Sequence, residues 1–247
     1  MSSHYESIQL AALYPDAFKV AAPDVLPGRH VTPRKPGVFI RKGPAAGSAA
    51  TDAGQTGIPD TPEAPEAAEP LANAETPASP ARELVVGQFG LVPPWVKSAS
   101  DAKLRSTKLV NARSETVTTS NNFREAWLGA RRCIVPVMAF FEDDFRSGKA
   151  VPTRIARVDG KPMGLAGLWE SWTGAEGDTI ISFTLLTINA NSHALMSRYQ
   201  QPGNEKRMPV ILNEGAQDAW LNAHPEKARE FLRAYPANWL LANPVEK

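Results

Sequence analysis

Residues 132–141, RCIVPVMAFF, decide the fold class of this chain. Eight of these ten residues are apolar, and the run ends in the acidic cluster Glu142, Asp143 and Asp144. A short apolar run that is rich in β-branched and aromatic residues, and that stops at a polar cluster, indicates a buried β-strand. Similar runs predict further strands at residues 38–41, 83–91, 153–158, 163–172, 179–189 and 208–212.

Helical patterns are fewer and shorter than the strand patterns. Apolar spacing predicts helices at residues 7–18, 123–129, 214–223 and 226–234. Asn122 and Glu125 form a capping-box pattern before the second of these helices. Many strands with few short helices predict an α+β fold. We expect a single domain over residues 1–247, built on a bent, mainly antiparallel sheet or open barrel with short flanking helices.

One segment, residues 43–81, differs in composition from the rest of the chain. It contains twelve Ala, seven Pro and six acidic residues, and it has no aromatic and no basic residue. Such a segment cannot bury enough apolar surface to offset the entropy lost on ordering. The sequence therefore predicts a disordered insertion within the single domain.

The charge of the chain is unevenly distributed. The formal net charge is +1, but outside residues 43–81 there are 27 basic and 20 acidic side chains. The part expected to fold is therefore basic, which is compatible with a polyanionic partner.

The sequence also indicates the cellular compartment of the protein. No apolar run approaches the roughly 20 residues that a membrane helix needs, and the first residues, MSSHYESIQL, lack the pattern of a signal peptide. The single cysteine, Cys133, lies in an apolar run and is expected to be a buried structural thiol. These features predict a cytoplasmic protein with no membrane partner.

Familiar cofactor and metal motifs are missing from the sequence. The four histidines, His4, His30, His193 and His224, are scattered and have no metal-ligand spacing. There is neither a glycine-rich phosphate loop nor a GxSxG motif. We therefore expect no metal and no cofactor.

Polar residues at the ends of predicted strands are the candidate site residues. NARSET, residues 111–116, is either a solvated strand end or part of a site. Glu142 follows two phenylalanines; burial there would raise its pKa and suit acid–base chemistry, whereas a solvated strand end is the alternative. Trp95 follows Pro93-Pro94 and could stack on a base or belong to the core.

Together these segments resemble the SOS response-associated peptidase family, the abasic-site processing proteins. The resemblance covers nearly all of the chain outside residues 43–81, in the family's order. It rests on the motifs SSHY, DVLPG, FGLVPPW, NARSET, FREAW, RRCIVPVMAFFED, GLAGLWESW, FTLLTINAN and EKRMPVIL.

This resemblance implies a reaction with abasic sites in DNA and a role for each of several residues. Family members lose Met1 and expose a cysteine whose amine and thiol capture the aldehyde of an abasic site in single-stranded DNA as a thiazolidine. It implies that Asn111 lies beside the N-terminal residue, that Glu142 moves protons near its amine, and that Thr187 joins the site. DNA contacts are implied for Arg113, which would hold phosphate, and for Trp95 and Pro27. We expect a monomer associated with the nucleoid.

Two positions depart from the family pattern. Ser2 stands where the family has its cysteine, and Gln200 stands where the family has a histidine. An amine on Ser2 can still form an imine, but its hydroxyl closes a weaker ring, and Gln200 cannot carry a proton at neutral pH. Three hypotheses follow: weakened covalent capture of abasic sites, a catalytically silent single-strand binder, and an N-terminal-nucleophile amidase using Ser2.

Overall fold

The computed structural model describes residues 2–44 and 81–245. The predicted disordered insertion lies outside these residues, except for Gly43, Pro44 and Ala81. The strands are β1 (Tyr5–Ser7), β2 (His30–Val31), β3 (Pro36–Lys42), β4 (Arg82–Phe89), β5 (Asn111–Arg113), β6 (Arg132–Asp144), β7 (Val151–Arg157), β8 (Met163–Thr173), β9 (Thr179–Asn189), β10 (Arg207–Pro209), β11 (Ile211–Leu212) and β12 (Leu240–Pro244). The α-helices are α1 (Leu13–Phe18), α2 (Ala99–Ser106), α3 (Arg124–Leu128), α4 (Gln217–Asn222) and α5 (Pro225–Ala228).

Five of the strands close into a barrel. β6 pairs with β8 on one edge and with β3 on the other, and the pairings β3–β4, β4–β9 and β9–β8 complete the ring. All of these pairings are antiparallel except β4–β9. The predicted α+β class and mainly antiparallel sheet are confirmed. The sheet bends far enough to close into a barrel, because β6 is hydrogen-bonded to a neighbouring strand on each edge.

The long strand β6 is buried on both faces over most of its length, which explains why its sequence does not alternate. It pairs with β8 from Arg132 to Val137 and with β7 from Ala139 onward. Pro136 lies close to this change of partner, where a missing backbone N–H interrupts the ladder least.

Aromatic side chains from four strands form the centre of the core. Phe89 lies 5.3 Å from Tyr5 and 5.5 Å from Phe183 between ring centroids, and Phe39 lies 5.5 Å from Phe183. A Cβ atom at Gly37 would lie 2.2 Å from the Tyr5 hydroxyl, so only glycine lets β3 approach this cluster. Each such buried side chain contributes about 1.5–3 kcal/mol.

Some local predictions were wrong. Residues 7–18 do not form one helix, because Ser7 still belongs to β1 and pairs with Val137 of β6, and the helix begins only at Leu13. Asn122 does not cap α3, whose N-cap is Phe123 without a side-chain hydrogen bond. The patterns also missed α2, β5 and β12. By contrast, Cys133 is fully buried, as predicted, and burial raises the pKa of its thiol.

Three short strands build one end of the sheet. β1 meets the last part of β6 through the pair Tyr5↔Phe140. β5 runs parallel to β9 and β10 antiparallel to it, so that Thr187 is opposite both Arg113 and Pro209. A bridge between Asp144 and Tyr199 ties the segment before β10 to the end of β6. Within the described residues, no helix is long and apolar enough to cross a membrane.

The hairpin of β3 and β4 gives a first prediction. Lys42 is opposite Arg82, and the backbone N–H of Gly43 donates to the carbonyl of Ala81 at 2.7 Å. Replacing residues 44–80 with Asn-Gly, the preferred two-residue hairpin turn, is therefore compatible with this register. We expect the free energy of unfolding to stay equal or rise by about 1–2 kcal/mol, because a shorter loop costs less to close. Denaturant unfolding measures this change.

The matched control replaces the same residues with a Gly-Ser segment of equal length. A loss of several kcal/mol in both variants would contradict the predicted disorder of residues 43–81, since it would mean that this segment contributes packing of its own.

Candidate active site

The pairing of β1 with β6 brings the start of the chain to the acidic end of β6. The backbone N–H of Phe141 donates to the carbonyl of His4 at 3.0 Å, which extends the pairing toward Ser2. The hydroxyl of Ser2 donates a hydrogen bond to Oε1 of Glu142. Both residues are buried, with exposed fractions of 2% for Ser2 and 6% for Glu142.

NARSET supplies the next contact. The amide Nδ2 of Asn111 donates to the backbone carbonyl of Ser2 at 2.9 Å. The Asn111 Oδ1 atom is buried and has no hydrogen-bond partner among the described residues. Ala112 points into the core, which puts Asn111 and Arg113 on the opposite face by the two-residue period of a strand. Asn111 thus faces the start of the chain, whereas Arg113, Glu115 and Thr116 are exposed.

Burial raises the pKa of the Glu142 carboxyl above its ordinary value of 4.5. The charge of the chain's amino terminus and hydrogen bonds from Ser2 and Gln200 oppose this rise only in part. A carboxyl with a raised pKa is suited to taking up and releasing protons closer to neutral pH. Glu142 therefore combines the position and the electrostatics of a general acid or base.

A cavity of about 630 Å³ adjoins these residues. Its volume is in the range of small-molecule sites in proteins. Polar and charged side chains make up much of its wall, among them Ser3, His4, Arg113, Glu142, Gln200 and Arg207.

Arg207 is a member of this wall that the sequence patterns did not single out. Its side chain is 1% exposed and bonds both carboxylate oxygens of Glu115, at 2.9 and 2.8 Å, and one oxygen of Glu205 at 2.6 Å. These carboxylates compensate the cost of burying a guanidinium. The signals in the sequence were a basic residue directly before the apolar run MPVIL and its place in the family motif EKRMPVIL.

Thr187 lies beneath this network. Its carbonyl and its hydroxyl accept hydrogen bonds from Nη2 of Arg207, at 2.7 and 3.2 Å. Its hydroxyl also lies 3.5 Å from the carbonyl of Ala112. Through these contacts Thr187 supports Arg207 and β5. Among the described residues, Thr187 makes no hydrogen bond to Ser2.

Gln200 is held tightly in the cavity wall. Its amide Nε2 donates to the carbonyl of Arg207 at 2.7 Å, and its Oε1 accepts from the N–H of Arg207 at 3.0 Å. Its own N–H donates to the carbonyl of Asp143 at 2.7 Å. It adopts a φ of 67°, which is uncommon for residues other than glycine and indicates a conformation fixed by these bonds.

The three implied DNA contacts do not share one cavity. Arg113 stands on the rim beside Glu142, half exposed, and pairs with Glu205 at 3.1 Å. Trp95 lines a second cavity of about 970 Å³, together with Arg124 and Arg131, and the two cavities have no lining residue in common. Pro27 is half-buried, and its carbonyl accepts a hydrogen bond from the Gln9 amide at 3.0 Å.

Trp95 is an exposed ring in a fixed orientation. Its indole N–H donates to the carbonyl of Asn121 at 3.0 Å, and the guanidinium carbon of Arg105 lies 4.7 Å from the ring centroid. The alternative that Trp95 belongs to the core is wrong, because its exposed fraction is 40%.

The family model for the SOS response associated peptidases matches residues 7–247. The chain belongs to this family. An abasic site processing protein of Bacillus subtilis, YoqW, is 34% identical over 162 residues, which is 64% of this chain and 67% of the relative. The abasic site processing protein HMCES of Gallus gallus is 25% identical over 188 residues, or 68% of this chain and 54% of the relative.

A solved structure matches nearly the whole chain. The crystal structure of a protein from Bordetella bronchiseptica is 37% identical, with a TM-score of 0.80, and the match covers 99% of this chain and 100% of that protein. The barrel and its short flanking helices are therefore shared with a protein whose structure was determined by experiment.

Proposed function

We propose that this protein captures the aldehyde of abasic sites in single-stranded DNA through the α-amine of Ser2, once Met1 has been removed. The observation that carries the proposal is the triad of Ser2, Glu142 and Asn111, in which Ser2 and Glu142 are buried and the hydroxyl and the carbonyl of Ser2 are both held. The family supports DNA as the substrate, because its relatives are named abasic site processing proteins.

The triad also suits the removal of Met1. The hydroxyl of Ser2 donates to Glu142, which can accept that proton as the oxygen attacks the Met1 carbonyl. Glu142 passes this proton to the peptide nitrogen as the C–N bond breaks, so that the nitrogen leaves as the free amine of Ser2 and methionine remains as an ester on the oxygen. Water then cleaves the ester, releasing methionine and restoring the hydroxyl.

Capture itself uses the new amine. An α-amine has an ordinary pKa near 7.7, so a reactive fraction is unprotonated at neutral pH. Its nitrogen forms an imine with the aldehyde carbon, and the buried Oδ1 of Asn111 is a nearby acceptor for an N–H. The hydroxyl of Ser2 can close only an oxazolidine, which reopens readily. The expected product is therefore a reversible imine rather than a durable crosslink.

A second function, silent binding of single-stranded DNA, is favoured by one observation. The Gln200 amide bonds on both sides to the backbone of Arg207, so this position holds the loop in place and carries no titratable group. A protein that lacks a titratable group at this position would bind DNA without reacting if Glu142 alone cannot support the chemistry.

Intact mass and borohydride trapping distinguish these functions. We expect a protein lighter by one methionine, and a reduced adduct with a single-stranded oligonucleotide that carries one abasic site. The adduct should map to Ser2 and should be lost on heating when borohydride is omitted. The matched control is the same protein with an N-terminal extension, which should give no adduct. Retained Met1, or an adduct mapped to a lysine, would contradict the proposal and favour the silent binder.

Arg113 should contribute to DNA affinity. A phosphate that binds Arg113 has to displace Glu205, which reduces the net gain. We therefore expect Arg113→Ala to weaken the binding of undamaged single-stranded DNA by about 1.5 kcal/mol, the lower end of the range for hydrogen bonds to charged groups. The slope of log affinity against log salt should fall by about 1. The matched control is Arg41→Ala, which removes an arginine paired with Glu83 outside both cavities. Equal effects of the two substitutions in a fluorescence titration would exclude Arg113 from the DNA path.

A further inference from the structure

Two histidines that are far apart in the sequence meet at the cavity. Nε2 of His4 and Nδ1 of His30 are 3.0 Å apart, across the pairing of β1 with β2. The His4 ring also stacks on Phe141, with centroids 4.1 Å apart and planes 11° from parallel. His4 lines the cavity that Glu142 and Gln200 line, whereas His30 is exposed. The pair thus connects the cavity wall to solvent.

The contact between the rings restricts their protonation. A hydrogen bond between two imidazole nitrogens needs one N–H and one lone pair, so the two rings share one proton at the contact. The pKa of His4 is lowered from 6.5, first by its burial and then by the neighbouring charge of His30. At neutral pH the His4 ring is therefore neutral and can accept a proton.

Several charged groups surround His4. On its own strand, Glu6 raises the pKa of His4 to a smaller extent and is itself bonded to Arg29 and Arg154. β6 contributes Glu142 and Asp143 to the same cavity. Across the cavity stand Arg113, Glu205 and Arg207, which are paired with one another or with Glu115. Among the described residues that line this cavity, His4 is the only imidazole.

We infer that the His4–His30 pair is a proton carrier of this site beside Glu142 and replaces the histidine that is missing at position 200. The inference rests on the proposed function, imine formation at Ser2. It gives His4 a catalytic role at the substrate, and it gives His30 a role in exchanging the proton of His4 with solvent.

The proton balance of the reaction requires such a carrier. A neutral ring nitrogen of His4 takes one proton from the Ser2 ammonium, which frees the lone pair that forms the N–C bond to the aldehyde carbon. The C=O electron pair moves to the oxygen, which takes a second proton from the nitrogen through the carboxyl of Glu142. His4 then returns its proton to this hydroxyl as the C–O bond breaks. The products are the iminium and one water, with no net change in protons.

The test measures the rate of borohydride-trapped adduct formation on bound abasic single-stranded DNA, from about pH 5 to pH 8. His4→Gln should slow the reaction by about 100-fold, the lower end of the range for general acid–base catalysis. Affinity for undamaged single strands should change little. Adding Gln200→His to His4→Gln should restore part of the rate. His224→Gln, which changes an exposed histidine outside the cavity, should leave the rate unchanged.

His30→Gln supplies a readout that a purely structural role would not move. Without the charge of His30 the pKa of His4 should rise, so the acid limb of the pH–rate profile should shift to higher pH. Because His30 is exposed, this variant decides the inference even where His4→Gln impairs folding.

The outcomes separate the two proposals. No adduct from the unchanged protein would overturn the proposed function and this inference with it. If His4→Gln and His30→Gln both form the adduct with the rate and the pH profile of the unchanged protein, the inference alone is overturned. The same holds if His4→Gln weakens DNA binding while bound DNA reacts at the normal rate, because His4 would then be a DNA contact.

Discussion

Ser2→Cys is expected to convert a heat-labile imine into a heat-stable crosslink with abasic single-stranded DNA. Both side chains leave the same amine to attack the aldehyde, so the first step is common to both. The next step differs, because a thiolate is a far better nucleophile toward the imine carbon than a hydroxyl and the sulfur ring reopens less readily. The fraction of DNA that remains attached after heating should rise from near zero to most of the trapped fraction.

Denaturing gels after heating, with and without borohydride, measure this change. The control is Ser3→Cys, which places a thiol in the cavity wall one residue away, without the 1,2-aminothiol geometry. The double variant Ser2→Cys/Gln200→His should react faster than Ser2→Cys, since a proton donor is added. A heat-stable adduct from the unchanged protein, or none from the double variant, would contradict the account given for position 2.

Glu142→Gln is expected to slow imine formation by about 100- to 10,000-fold, the usual range for loss of a general acid or base. Glutamine keeps the shape and a hydrogen bond to Ser2, but it cannot exchange a proton. DNA affinity should stay within a factor of a few, because Glu142 is buried behind the rim that carries Arg113. Single-turnover trapping and fluorescence binding separate the two effects when both are measured on one Glu142→Gln preparation whose intact mass shows that Met1 has been removed.

The stability of Glu142→Gln against pH is an independent check. The folded protein holds the Glu142 proton to a higher pH than the unfolded chain does. The unchanged protein therefore loses stability as pH rises from 4.5 through the raised pKa, and this loss is complete above it. The free energy of unfolding of Glu142→Gln should not show this loss. Relative to that of the unchanged protein, it should therefore be higher at pH 8 than at pH 4. A variant that unfolds at neutral pH would show that Glu142 is structural.

The sequence predicted the features that depend on local patterns. The run at residues 132–141 indicated the central strand, and the number of strands indicated an α+β domain. Family motifs singled out Ser2, Asn111 and Glu142, which the structure joins by hydrogen bonds. Local patterns were wrong where pairing with a distant strand outweighs helical spacing, as at Ser7, which pairs with Val137.

The sequence by itself therefore determined the fold class, the apolar strands and the identity of the residues at the start of the chain and at the end of β6. Only the tertiary structure decided which polar side chains meet. It closed the barrel, joined His4 to His30, built the carboxylate network around Arg207 and put Trp95 in a different cavity from Arg113. The physical reason is that periodicity reports which face of an element is buried, whereas contacts such as that of Ser2 with Glu142, 140 residues apart, depend on strand register.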